Sequence, residues 1–286
     1  MTGPVANGPG SGSGSGRAFL ITGATGHLAE ASIRLLSERG DRLLLTARNA
    51  ERLEELEKSY GAPGRVEVLR TDVSEPEGAQ DAAAEAVRRL GRLDGLVHLV
   101  GAFHAGPVAM TGLDRYDELM RANFRSAVTA TQAVLPHLGE GGRLVYFSSP
   151  LADEPLPALS AYAASKAALM AWMRSMSHEV KRRGIHANAI VMTIADTEQM
   201  RSSRPHIDFD QTVTPELVAR VVGFLTDSAS DGLYGSCVPV LGRFGFTSAL
   251  AGPPPGGPGG PGRPGGPGGP GGPGGPGGPG GPGSGR

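Results

Sequence analysis

Residues 17–36, "RAFLITGATGHLAEASIRLL", decide the fold. A short apolar run of strand length ends at Thr22 and passes into a glycine turn. After the turn, Leu28, Ala31, Ile33, Leu35 and Leu36 recur at helical spacing. A strand running through a glycine turn into a helix is the setting in which free backbone N–H groups cradle a phosphate. Gly23 permits the tight turn, and Gly26 keeps a Cβ away from an approaching pyrophosphate. Ala29 stands where a third glycine is expected for close packing of helix on strand, and adds one methyl group. Gly23, Thr25, Gly26, His27 and Leu28 are the candidate cofactor-binding residues of this turn.

Outward from this unit the same alternation repeats. "DRLLLTAR" (41–48), "RVEVLRTDV" (65–73), "LDGLVHLVGAF" (93–103), "GRLVYFSS" (142–149), "IHANAIVMT" (185–193) and "YGSCVPVLG" (234–242) read as strands. Between them, "ERLEELEKSYG", "AAAEAVRRLG", the stretch 113–138, "SAYAASKAALMAWMRSMSHEVKRRG" and "TPELVARVVGFLTD" read as helices, the last with Thr214 as cap and Pro215 in its first turn. Strand–helix alternation predicts an α/β fold: a doubly wound parallel sheet with helices on both faces. In such a sheet the ligand site lies beyond the carboxyl ends of the strands, so each chemically loaded residue should follow an apolar run.

The chain ends differ from this middle. Residues 1–16 are rich in Gly and Ser and offer little to bury; residues 251–286 are almost wholly Gly and Pro. Both read as flexible, the tail partly polyproline II, its glycines filling the positions that would stabilise a collagen helix. A single domain over 17–250 remains, long enough for a core without disulfides or metals. The formal net charge of −1 gives no field for nucleic acid or anionic lipid. Cys237 is the sole cysteine, no apolar run has membrane-spanning length, and the N-terminus lacks a secretory pattern. The expectation is a cytoplasmic protein with neither membrane nor nucleic-acid partner. The histidines show no metal-ligand spacing, so no metal site is assigned.

The residues that carry chemistry lie where the fold requires. After the second strand, "TARN" offers Ala47 and Arg48 where an acidic residue would otherwise accept from a ribose hydroxyl. An arginine there suits a 2′-phosphate, favouring NADP over NAD, although a solvated surface arginine would read the same. Asp72 and Val73, after the third strand, are candidates for the adenine by a hydrogen bond and an apolar contact. Tyr162 and Lys166 stand one helical turn apart and share a face. A free tyrosine titrates near pH ~10; a cation beside it stabilises the phenolate and lowers that value. Ser149, at the end of "LVYF", points into the same crevice and is placed to hydrogen-bond a substrate oxygen.

With "YAASK", its upstream serine and the nucleotide turn together, the chain resembles the short-chain dehydrogenase/reductase family from about Arg17 to Gly245, carbonyl and 3-oxoacyl reductases among them. The resemblance implies a Rossmann-like fold and an active site of Ser149, Tyr162 and Lys166. In "MRANFRSA" it nominates Asn123 for a water-bridged proton relay to Lys166. It also places Gly101 at the cofactor and Ile194 and Thr197 at its nicotinamide side, with Lys166 against the nicotinamide ribose and Tyr162 also at the cofactor, and implies a homodimer or homotetramer.

Three departures from the family pattern stand out. The turn reads TGxxGxxA where TGxxxGxG is usual. Leu99-Val100-Gly101 replaces Asn-Ala-Gly, which removes a side-chain stabiliser of the sheet centre. Met192-Thr193 replaces Pro-Gly. The function implied is an NADP-dependent oxidoreductase acting on a small carbonyl or alcohol. Two alternatives stand beside it: a catalytically silent NADP(H) sensor, and an interaction protein working through the tail. The segment 198–213, with Arg201 and Arg204, is expected to lie over the substrate, and the Met170, Trp172, Met173 and Met176 cluster to serve packing.

Overall fold

The computed structural model describes residues 16–243. Residues 1–15 and 244–286, which carry the expected flexible N-terminus, the Gly/Pro tail and the last few residues assigned to the domain, lie outside the described residues.

Seven strands are present among the described residues: β1 (Ala18–Thr22), β2 (Arg42–Ala47), β3 (Val66–Arg70), β4 (Gly95–His98), β5 (Arg143–Ser148), β6 (His186–Met192) and β7 (Cys237–Val240). They form one sheet in the order β3-β2-β1-β4-β5-β6-β7, and every neighbouring pair is parallel. The helices are α1 (Ala29–Glu38), α2 (Ala50–Tyr60), α3 (Pro76–Leu90), α4 (Leu113–Met120), α5 (Ser126–Val134), α6 (Ser160–Val180), α7 (Glu198–Ser203) and α8 (Pro215–Leu225). The doubly wound α/β reading therefore holds, with a short helix, α7, inside the segment expected only as a covering loop.

The sheet is buried on both faces, and the alternation of strand side chains divides the core in two. Leu20, Leu44, Leu96, Leu144 and Tyr146 pack with α3, α5 and α6. Phe19, Ile21, Leu43, Leu45, Val97 and Val145 pack with α1, α2 and α8 on the other face. Full burial of such a side chain contributes about 1.5–3 kcal/mol, which is why the inner strands carry apolar runs such as Ala18–Ile21 and Leu43–Leu45, while the partly exposed edge strand β3 alternates. Ala29 is fully buried in the second cluster, as expected of a position set by helix–strand packing. Thr214 caps α8, its Oγ1 accepting from the Leu217 N–H at 3.2 Å, and Asn49 caps α2 in the same way through Arg52.

One element departs from its sequence pattern. The stretch 113–138 is not one regular helix: Arg121–Arg125 forms a π-helical turn between α4 and α5, the Ser126 N–H returning to Arg121 O. The Ser126 hydroxyl donates to Ala122 O at 2.6 Å, taking the carbonyl that a regular helix would offer to the Ser126 N–H. No Gly or Pro marks the place, so the sequence pattern does not show it. The turn lifts Asn123 out of regular register, and that residue is fully buried.

Candidate active site

The crevice lies at the carboxyl ends of the strands, beside β1 and β4 where the strand order changes direction. On the β1–β3 side, Gly23 turns with φ 71°, and a Cβ there would lie 2.8 Å from the Val100 N. Only glycine fits both demands. A cavity of about 270 Å³ is lined by the expected Gly23, Thr25, Gly26, Arg48, Asp72, Val73 and Gly101, joined by Thr46, Asn49 and Thr71, which the sequence did not single out. His27 is exposed and Leu28 half-buried at the helix start, neither belonging to the cavity wall.

Arg48 is 75% exposed, its guanidinium 3.9 Å from Asp72. Asp72 is already engaged: its Oδ1 accepts from the Ser74 N–H at 3.0 Å and the Ser74 hydroxyl at 2.5 Å, and its Oδ2 faces Arg121 at 3.2 Å. Burial would raise the Asp72 carboxyl, but the Ser74 hydrogen bonds and the charges of Arg121 and Arg48 together hold it below its ordinary value. Arg121, which also pairs with Glu75 at 2.6 Å, is a rim residue that nothing in the sequence flagged.

The β4–β6 side is built from buried side chains. Ser149 follows β5 and is buried; its Oγ accepts from the Leu151 N–H at 3.3 Å. Tyr162 and Lys166 lie one turn apart on α6, with Lys166 Nζ 5.9 Å from the Tyr162 ring centre. The Lys166 ammonium donates to Phe147 O at 2.9 Å. Asn123 Nδ2 donates to Ala102 O and to Ser165 Oγ, each at 2.9 Å, and its Oδ1 accepts from the Ala102 N–H at 2.9 Å. The asparagine thus fastens the loop after β4 to α6. Ser165 completes the link by donating to Tyr162 O at 2.7 Å. A Cβ on Gly101 would stand 2.8 Å from Asn123 Oδ1 and 3.5 Å from Lys166 Nζ, so these two groups converge on the space a glycine leaves open.

Burial governs the titration here. Desolvation pushes Tyr162 up to about 12, with the Ser149 hydroxyl pulling partly the other way, and burial brings Lys166 down to about 8. Desolvation of the phenol outweighs the lowering expected from Lys166, whose ammonium donates to the Phe147 carbonyl.

A correction concerns the missing asparagine after β4. The sheet centre does have a side-chain stabiliser, one residue earlier. His98, buried at the end of β4, places Nδ1 2.8 Å from Thr22 Oγ1 on β1 and Nε2 3.0 Å from Ser126 Oγ on α5. Because the Ser126 hydroxyl donates to Ala122 O, its oxygen must accept. Nε2 therefore carries the proton, and Nδ1 accepts from Thr22. Burial first, and the Lys166 charge second, bring His98 down to about 3, so the ring is neutral.

Ile194 is buried after β6, and Thr197 caps α7, its Oγ1 accepting from the Met200 N–H at 3.2 Å. Met170, Met173 and Met176 are buried, and Trp172 stands edge-on to Tyr146 at 5.6 Å, as the packing reading expected.

A glycine cradle beside buried Ser149, Lys166 and Asn123 and a half-buried Tyr162 invites comparison with known proteins. The family model described as short chain dehydrogenase matches residues 17–208. The chain belongs to that family. Dehydrogenase/reductase SDR family member 7B of Danio rerio is 31% identical over 183 residues, covering 61% of this chain and 59% of that protein. The chain thus spans less than two thirds of this relative's length. The 3-oxoacyl-acyl-carrier-protein reductase of Thermotoga maritima is 26% identical over 238 residues, 79% of this chain and 97% of that one. A short chain dehydrogenase from Burkholderia cenocepacia in complex with NADP superposes with a TM-score of 0.73 at 29% identity, covering 80% of this chain and 97% of that one. The resemblance read from the sequence is thereby borne out. Among the described residues, no helix is long and apolar enough to cross a membrane.

Proposed function

We propose that this chain is an NADP-dependent oxidoreductase that interconverts a small carbonyl compound and its secondary alcohol. The observation that carries the reading is the convergence of Asn123 and Lys166 on Gly101, between the glycine-lined cavity and the Ser149–Tyr162 pair. The cavity suits a dinucleotide. Gly23 and Gly26 leave backbone N–H groups and the start of α1 open to a pyrophosphate. Arg48, exposed at the rim, suits a 2′-phosphate. Ile194 and Thr197 are assigned to the nicotinamide side. When bound, the nicotinamide supplies or accepts the hydride.

The protein's part is to hold the substrate oxygen and move a proton. Ser149 donates a hydrogen bond to that oxygen and polarises it. Tyr162, kept protonated across the neutral range by its raised pKa, delivers the proton as the oxygen gains charge. Lys166, cationic below about pH 8, steadies the phenolate left behind and reaches toward the ribose. Asn123 fixes the loop after β4 against α6 and belongs to the path by which Lys166 is resupplied with protons. The homodimer or homotetramer implied by the family is part of the same proposal.

The test is a panel of ketones followed by NADPH absorbance, run in parallel with NADH, on the chain and on Tyr162→Phe. Turnover with NADPH that disappears in the variant, while nucleotide binding persists, is the expected result. Near wild-type turnover by Tyr162→Phe would falsify the assignment, and nucleotide binding without turnover in either protein would favour the sensor.

A further inference from the structure

Phe103 sits in the loop after β4, 48% exposed, yet its ring stands edge-on to Tyr162 with centres 4.9 Å apart. A large aromatic half in solvent beside the reacting phenol forms an apolar wall at the mouth of the site. Its loop is tied across to the segment before α6: the Gly106 N–H donates to Ala158 O at 2.7 Å, and Ala158 takes φ 63°, rare for a residue with a Cβ.

Over the Phe103 ring lies the Arg204 guanidinium, its Cζ 5.7 Å from the ring centre. The two arginines of the covering segment differ in kind. Arg201 is bound edge-on by Asp196, Nε to Oδ1 at 2.5 Å and Nη2 to Oδ2 at 2.8 Å, so its fork is occupied. Arg204 makes no ion pair and no side-chain hydrogen bond among the described residues, although it is only half-exposed. It is a cation with an unused planar fork, separated from Tyr162 by one aromatic side chain.

We propose that this mouth selects carbonyl substrates with an aryl-sized apolar body and a carboxylate at the end remote from the carbonyl. This rests on the oxidoreductase reading above. The body lies along Phe103, the carbonyl meets Tyr162 and Ser149, and the carboxylate takes the fork of Arg204. A carboxylate matches that planar fork with two parallel charge-assisted hydrogen bonds, which an ester cannot accept with equal strength.

The test compares 4-acetylbenzoate with its methyl ester, using NADPH, on the chain and on Arg204→Gln, Arg204→Lys and Arg201→Gln. The acid is expected to exceed the ester in kcat/KM by about 10-fold or more. That ratio should fall toward one in Arg204→Gln, stay partly in Arg204→Lys, and persist in Arg201→Gln. A ratio near one in the unaltered chain, or one that Arg204→Gln leaves unchanged, overturns the proposal. If neither compound is reduced, calorimetric binding of 4-acetylbenzoate decides. Binding lost in Arg204→Gln upholds the carboxylate site while counting against the oxidoreductase reading; absent binding, or binding equal in the variant, overturns the carboxylate site itself.

Discussion

The two sides of the crevice hold their groups by different means. On the β1–β3 side, Arg48 is 75% exposed and Asp72 shares its charge with Arg121 and Arg48 at 3.2 and 3.9 Å. The shape there comes from backbone, above all the Gly23 turn. On the β4–β6 side, Asn123, Ser165, Lys166 and His98 are all buried and hydrogen-bonded to neighbouring elements. Exposed charges are screened by water and salt, and each is worth little. Buried polar groups lose much when a partner is removed. Changes on the nucleotide side should therefore tune affinity, whereas changes on the proton side should alter turnover, stability and pH response together.

The largest effect falls on Tyr162. Tyr162→Phe removes the proposed proton donor and should lower kcat by about 10²–10⁴-fold, with nucleotide affinity nearly unchanged. Stopped-flow reduction and a nucleotide titration read the two separately. A loss of affinity equal to the loss of kcat would break the division between the two sides.

Lys166 gives the sharpest test, since function and stability should move in opposite directions. The unfolded lysine titrates at 10.5 and the folded one at about 8. Between those values the unfolded chain holds the extra proton, so stability rises with pH through that window. Below about pH 8 both states are charged and the burial cost is at its full value. Lys166→Met should therefore abolish most turnover yet gain about 1–3 kcal/mol at neutral pH, read by thermal unfolding. In the unaltered chain, kcat/KM for reduction should decline above about pH 8, as Lys166 loses the charge proposed to steady the phenolate.

The fold was legible because the inner strands are buried on both faces and show as apolar runs, while the edge strand β3 shows as an alternating one. Ser149, Tyr162 and Lys166 were legible because their spacing along the chain is itself the geometry: a strand end, then one helical turn. Asn123 came from the family resemblance alone, and its π turn is invisible without a Gly or Pro. His98, Arg121 and Phe103 were not legible as site residues, and Arg204 was legible only as one of two arginines in the segment expected over the substrate. Each acts through a partner distant in sequence: Thr22 and Ser126 for His98, Asp72 and Glu75 for Arg121, Tyr162 for Phe103, and Phe103 for Arg204. Residue type gives no sign of such pairings until the sheet order brings the elements together.

His98 sets the next prediction. Its ring titrates at about 3 in the fold and 6.5 in the unfolded chain. The unfolded chain therefore binds the extra proton between those values, and stability is lost as pH falls below 6.5. His98→Ala leaves the Thr22 and Ser126 hydroxyls short of a partner and should cost about 2–4 kcal/mol at neutral pH. It should also flatten the acid dependence over that window, which denaturant titrations at several pH values would show. An acid slope unchanged in the variant would assign that sensitivity to the exposed carboxylates.

Arg48 carries the smallest effect and tests the comparison from its other side. As an exposed group with a single distant carboxylate, it adds little to stability, and Arg48→Ala should leave thermal unfolding nearly unchanged. Its contribution appears only when a dianionic 2′-phosphate is present to meet it. NADPH affinity should then fall by about 10-fold while NADH affinity holds, and the difference should shrink as salt is added. Isothermal titration with both nucleotides at two ionic strengths separates the possibilities. A loss shared equally by NADPH and NADH would mean that Arg48 shapes the cavity by holding Asp72, and Arg121, on the other flank of that carboxylate, would become the residue to test for the phosphate.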